Sequence, residues 1–174
     1  MSRRIVLIRA VNVGGAKLPM AELREIAESL GATDVSTYIA SGNLLCVPDG
    51  DPAAFDRALE KAIEERYGYF REVVSRTREE LQTALDAHPF EVVEPKFSYV
   101  YALTGVPSPD AVEAFEDHGW EHEDVKVIGA DLHIRYREGA GQSKLTAPRI
   151  AKALSVQGTG RNLLTVRKLI DLAA

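Results

Sequence analysis

The chain has 174 residues, of which 45% are apolar and 27% charged, and a formal net charge of −5. That length suits one large domain or two small ones with a proper core. No window approaches the ~20 apolar residues of a membrane span, and the start Met1-Ser2-Arg3-Arg4 leads into a short strand rather than a secretory leader. Cys46 is the single cysteine, which excludes an internal disulfide and any Cys-rich metal site and fits a reducing cytoplasm.

Arg4–Arg9 is apolar between its ends and predicts a central strand. The glycine turn Ala10–Lys17 follows. Pro19 then suits a first helical position, and Met20, Leu23, Ile26, Ala27 and Leu30 repeat at helical spacing up to Gly31. Val35–Ala40 and Leu44–Val47 read as strands around Ser41-Gly42-Asn43. Asp51-Pro52 opens a helix with Phe55, Leu59, Ala62 and Ile63 on its buried face. Phe70–Ser75 is the next strand, and Thr77 with Glu80 forms a capping box for a helix ending near His88-Pro89. The order β-α-β-β-α-β with a trailing helix is the split βαβ pattern of a ferredoxin-like fold, or alpha-beta plait.

After the polar joint Glu91–Lys96 the pattern restarts in part. Ser98–Thr104 is a strand, Ser108-Pro109 begins a short helix, and Asp124–Ile128 pairs with Leu132–Tyr136 across Gly129-Ala130-Asp131. Pro148 starts a helix with Ile150 and Leu154, and a last helix bears Leu169, Ile170 and Leu172. A final strand matching the first half is missing from this pattern. The expected fold is α+β, with two ferredoxin-like halves with antiparallel sheets, residues 1–91 and 92–174, the second irregular with an extra C-terminal helix.

Several phrases line up in order: Leu7-Ile8-Arg9-Ala10-Val11-Asn12-Val13-Gly14-Gly15, Pro19-Met20-Ala21-Glu22-Leu23, Thr37-Tyr38-Ile39-Ala40-Ser41-Gly42-Asn43, Ser143-Lys144-Leu145-Thr146 and Arg161-Asn162-Leu163-Leu164-Thr165-Val166. Together they resemble the bacterial domain-of-unknown-function family numbered 1697. The resemblance implies a two-part α+β protein with no established activity, cofactor or substrate. Two positions depart from it. The family usually has glycine where Ala10 stands, and Trp-Asn where this chain has Leu163-Leu164.

The candidate binding residues are donors in turns. Arg9, Asn12, Gly14, Gly15 and Lys17 surround a strand-to-helix turn of the kind that cradles phosphate, although no Walker pattern is present and no Ser or Thr follows Lys17. The competing reading is a tight turn in which glycine only permits the backbone path. Ser41 and Asn43 flank Gly42 in a turn that hairpin chemistry alone explains, and the split βαβ order is expected to place it at the opposite end of the sheet from the glycine turn. Ser143, Lys144, Arg161, Asn162 and Lys168 form the richest donor set, with Thr165 beside them, in a basic tail: residues 141–174 carry +5 and residues 1–140 carry −10. Thr165 is the expected cap of the last helix, and Arg161 is equally readable as a pin for that helix.

No metal or cofactor is expected. His118 and His122 have metal-pair spacing but sit in what reads as a solvated acidic loop, and His88 and His133 read as isolated packing residues. Cys46 lies in an apolar run where a thiol is inert. These residues lead to non-catalytic binding of an anionic ligand, either a phosphate-containing small molecule or a nucleic-acid backbone. RNA binding at a sheet would need Tyr99 and Tyr101 on an open face. The alternatives are an enzyme using carboxylate acid/base groups and a structural protein forming a homodimer; no membrane partner is expected.

Overall fold

The structure is a computed structural model and describes residues 2–174. Among the described residues the chain forms eight strands and six α-helices. The first sheet contains β1 (Arg4–Ile8), β2 (Thr33–Thr37), β3 (Asn43–Val47) and β4 (Val73–Thr77), with helices α1 (Met20–Ser29), α2 (Pro52–Tyr67) and α3 (Arg78–Asp86) between and after them. Its strand order is β2-β3-β1-β4 and every pairing is antiparallel. The apolar run of β1 takes an interior position. Val6 and Ile8 pack with Leu23 and Ile26 of α1, Leu44 of β3, and Phe55, Leu59 and Ile63 of α2.

Local chemistry sets the helix boundaries as expected. The Asp51 carboxylate accepts from the Ala54 N–H at 3.0 Å with Pro52 opening α2, and Gly68 ends that helix at φ 78°. The Thr77 hydroxyl accepts from the Glu80 N–H at 3.0 Å while the Glu80 carboxylate accepts from the Thr77 N–H at 2.8 Å, a complete capping box. Two strands are shifted from the sequence expectation. β2 stops at Thr37, and Ile39, at φ 48°, has a left-handed backbone that cannot continue a ladder. β4 begins at Val73, three residues later than expected.

The second sheet contains β5 (Ser98–Leu103), β6 (Glu123–Ile128), β7 (Asp131–Tyr136) and β8 (Gly158–Asn162), with α4 (Pro109–Glu116), α5 (Ala147–Leu154) and α6 (Leu163–Leu172). Its order is β6-β7-β5-β8, again wholly antiparallel. The strand expected to be missing therefore exists, and the second half repeats the element order of the first. The sequence Gly158-Thr159-Gly160 hides it because glycine disfavours strands. Here glycine is needed. A Cβ on Gly160 would lie 2.6 Å from the Tyr101 ring, and one on Gly158 would lie 2.8 Å from Leu103 Cδ2.

Leu132, Ile134 and Tyr136 of β7 form the core of this half with Phe115, Ile150 and Leu154, and Tyr99 and Tyr101 pack against it. The Tyr101 and Tyr136 hydroxyls share a hydrogen bond at 3.2 Å. Both β5 tyrosines thus serve the core face, which removes the open aromatic face that the RNA reading needed. Leu163, where the family usually has Trp, is buried, and Leu164 is half exposed.

The chain divides into two compact units. One runs to Leu81 and includes Leu169–Ala174; the other is Gln82–Lys168. The division falls within α3 and α6 instead of at residue 91. In the first unit the Arg3 guanidinium donates to the Leu172 carbonyl at 2.6 Å and that of Arg78 to the Ile170 carbonyl at 3.1 Å, which ties the returning segment down. No helix among the described residues is long and apolar enough to cross a membrane.

Candidate functional site

In the first unit the glycine turn and the Ser41-Gly42-Asn43 turn lie together, contrary to expectation. β1 and β3 are antiparallel neighbours with Leu7 opposite Asn43, so the end of one strand meets the start of the other. The Ile8 N–H donates to the Gly42 carbonyl at 3.0 Å. Asn12 joins the turns: its Nδ2 donates to the carbonyls of Ala40 at 2.5 Å and Leu18 at 2.9 Å, and its Oδ1 accepts from the Leu18 N–H at 2.8 Å. Gly42, at φ 86°, leaves no room for a side chain, since a Cβ would lie 2.7 Å from Val11 Cγ2.

The segment before β4 closes the third side, and nothing local in the sequence announces it. The Arg9 N–H donates to the Glu72 carbonyl at 3.0 Å, and the Arg9 guanidinium pairs with the Glu72 carboxylate. Arg71 Nε donates to the Ala10 carbonyl at 3.2 Å with its guanidinium 5.0 Å from the Tyr69 ring centre, and the Tyr69 hydroxyl donates to the Lys17 carbonyl at 2.7 Å. The loop so held is backbone-strained: Ala10, Asn12 and Ile39 have φ of 51°, 57° and 48°, beside Gly14 and Gly15 at 58° and 89°. It borders a cavity of about 460 Å³ lined by Asn12, Gly14, Gly15, Lys17, Met20 and Ala40, among others.

The expected donors of this cluster divide by role. Arg9 is neutralised by Glu72. Asn12 is spent on the loop. Asn43 is buried, its Nδ2 donating to the Tyr38 carbonyl and to Ser41 Oγ. Lys17 is exposed and has no ion pair, and the N–H groups of Gly14 and Gly15 have no hydrogen-bond acceptor among the described residues.

In the second unit the basic donor set separates. Arg161 is 8% exposed on β8, where Nη1 donates to Thr159 Oγ1 at 2.6 Å and to the Gly160 carbonyl at 2.9 Å; burial lowers its pKa to about 10. The side chain is built into the sheet. Asn162 Oδ1 accepts from the Thr165 N–H at 2.9 Å, so Asn162 caps α6 and Thr165 is the capped residue. Ser143 Oγ accepts from the Leu145 N–H at 3.0 Å. Lys144 is exposed and lines a cavity of about 470 Å³ whose lining does not include Arg161, Asn162 or Thr165.

That cavity is built from the connections α4–β6 and β7–α5. The Arg149 guanidinium lies 4.6 Å from the Trp120 ring centre, the His118 and Trp120 ring centres are 4.2 Å apart, and the Trp120 indole N–H donates to the Phe115 carbonyl at 2.8 Å. His118 and His122 are solvent-exposed as expected, yet both line the cavity, and no metal-binding cluster occurs among the described residues. Trp120, Glu123 and Arg149 were not legible as site residues. They come from a connection, a strand and a helix, and only the fold brings them together.

Other titratable groups have structural surroundings. His88 and His133 are not isolated: their Nδ1 atoms are 3.0 Å apart, and burial lowers both pKa values, that of His133 to about 4. Burial pushes the Cys46 thiol up to about 12, consistent with an inert core residue. Burial also raises the pKa of Asp56, which accepts from Ser75 Oγ at 2.7 Å and has Arg4, Arg57 and Glu60 as charged neighbours.

A solved structure described as that of conserved bacterial protein SP0830 from Streptococcus pneumoniae aligns with a TM-score of 0.74 at 22% identity, covering 99% of each chain. That likeness shows the two-part α+β fold. No curated protein matches the chain. The family described as Protein of unknown function (DUF1697) matches residues 1–133, which carry the strand, the glycine turn and the Ser41-Gly42-Asn43 turn, and the chain belongs to that family.

Proposed function

We propose that the protein binds a small anionic ligand, a phosphate-containing molecule or comparable oxyanion, at the glycine loop of its first unit, without transforming it. The observation that carries this reading is the held loop. Asn12 fixes a left-handed backbone stretch, while the N–H groups of Gly14 and Gly15 and the Lys17 ammonium, beside a cavity, have no partner among the described residues. Donors held open in advance spare an oxyanion the cost of organising them. Pro19 precedes α1 without a side-chain cap, so the first N–H groups of the helix add to the same field. Arg9 stands behind the loop, with Glu72 taking its charge until a ligand competes for it.

The same reading places the site on a ferredoxin-like scaffold, since β2-β3-β1-β4 joined as β-α-β-β-α-β fits a split βαβ unit. A cytoplasmic setting fits the single buried thiol.

Calorimetry with inorganic phosphate, together with native mass spectrometry and ultraviolet absorbance of freshly purified protein, tests the proposal. Saturable phosphate binding should weaken about tenfold in Lys17→Ala, the size of one charge-assisted contact, and be unchanged in Lys144→Ala. Phosphate binding that ignores Lys17, or no binding and no co-purifying anion, overturns it.

A further inference from the structure

We propose that the Trp120 cavity of the second unit is a separate binding site for a small zwitterion, with a primary ammonium seated at Glu123 and an acid group held by Lys144 and Arg149. Glu123 is out of place by the logic of its own strand. In the β6–β7 register Glu123, Val125 and Val127 lie opposite Tyr136, Ile134 and Leu132, so the carboxylate occupies the face that is otherwise apolar. Glu123 is 7% exposed and lines the cavity, and its buried Oε2 has no hydrogen-bond partner among the described residues. A buried carboxylate left in that state is costly and calls for a donor.

Neighbouring groups do not supply one. The Tyr136 hydroxyl is engaged with the Tyr101 hydroxyl and the Leu145 carbonyl. Arg137 is committed to Asp124, with Nη2 at 2.5 Å from Oδ1. His122 lies 3.9 Å from Glu121 and 3.7 Å from Glu138. An N–H cation from outside the chain would meet this carboxylate where Glu123 lines the cavity. It is an organic cation rather than a metal, because the acidic and histidine side chains form no metal-binding group among the described residues.

The rest of the lining defines the other end of the ligand. Lys144 carries an ammonium with no ion pair among the described residues, and Arg149 is drawn over Trp120 and to 3.3 Å from His118 Nε2 instead of to a carboxylate. Two cations around a cavity that already contains a buried anion match a molecule with both charges. A volume of about 470 Å³ accommodates a small metabolite. Arg149 over the indole also shows that the ring accepts a cation.

Trp120 is the chain's only tryptophan, so its fluorescence reports on this site alone. The probes are β-alanine, γ-aminobutyrate and ε-aminocaproate, which vary the distance between charges, with n-butylamine and butyrate as the half molecules. At least one zwitterion should bind about tenfold more tightly than either half molecule. E123Q should bring it to the butyrate level, and K144A to the n-butylamine level. Zwitterions that bind no better than both halves, or that bind E123Q as they bind the native protein, overturn the assignment. Should E123Q not fold, K144A and the half-molecule series decide the matter.

Discussion

The two units close one end of their central strand in the same way and build beyond it differently. In the first, the Ile8 N–H donates to the Gly42 carbonyl and the Arg9 N–H to the Glu72 carbonyl; in the second, Leu103 and Thr104 donate to Ala130 and Gln157. From that shared frame the first chain segment makes the long strained loop Arg9–Lys17. The second runs directly into α4, whose start is capped by Ser108 Oγ accepting from the Ala111 N–H at 3.2 Å. Its cavity opens at the opposite end of the sheet, around the start of β6 and the exit of β7. A repeated framework therefore presents two unlike sites, and the difference resides in connections rather than in sheets.

The largest expected effect tests the frame itself. Gly42→Ala should cost about 3 kcal/mol, because the new methyl meets Val11 on a backbone already at positive φ, whereas Ala130→Gly at the matching position should cost about 1 kcal/mol or less by chemical denaturation. Arg161→Ala should cost about 2–3 kcal/mol through lost hydrogen bonds and a buried stem, with phosphate affinity unchanged in calorimetry. Loss of phosphate binding at full stability would return Arg161 to the list of ligand donors. Asn12→Ala should cost about 2 kcal/mol and abolish phosphate binding, since it releases the loop from both Leu18 and Ala40.

The smallest effect separates the units by pH, because all four histidines, at 88, 118, 122 and 133, fall in the second. His133 has a folded-state pKa near 4, below its unfolded value near 6.5, so unfolding takes up a proton between those values. Stability should be full above that range and decline as pH falls through it. The urea midpoint should follow that course in the native protein and flatten in His133→Phe. An unchanged slope in that variant would place acid sensitivity elsewhere.

Much of the scaffold was legible from the sequence. The apolar run of β1, the Asp51-Pro52 helix start and the Thr77–Glu80 capping box are local signals, and local chemistry decides them. Most of the failures are of register or close approach. β8 was missing from the sequence pattern because its glycines answer to Tyr101 and Leu103 on another strand. The two first-unit turns seemed remote until the antiparallel pairing of β1 with β3 placed them at one end. Asn162 displaced Thr165 as the cap because β8 runs straight into α6. Glu123 read as one more member of an acidic loop, and only its position opposite Tyr136 turns it inward.

The hydrogen bond from Arg3 to Leu172 spans nearly the whole length of the chain, and residues 169–174 belong to the unit that begins at the other end. During synthesis the first unit therefore waits, complete in its strands yet lacking its closing segment, until the second has been made. Closure over such a distance is slow, and in the meantime the surface against which Leu169, Ile170 and Ala173 are buried stays uncovered. A piece ending at residue 91 therefore lacks residues 169–174, which belong to the same compact unit as its four strands.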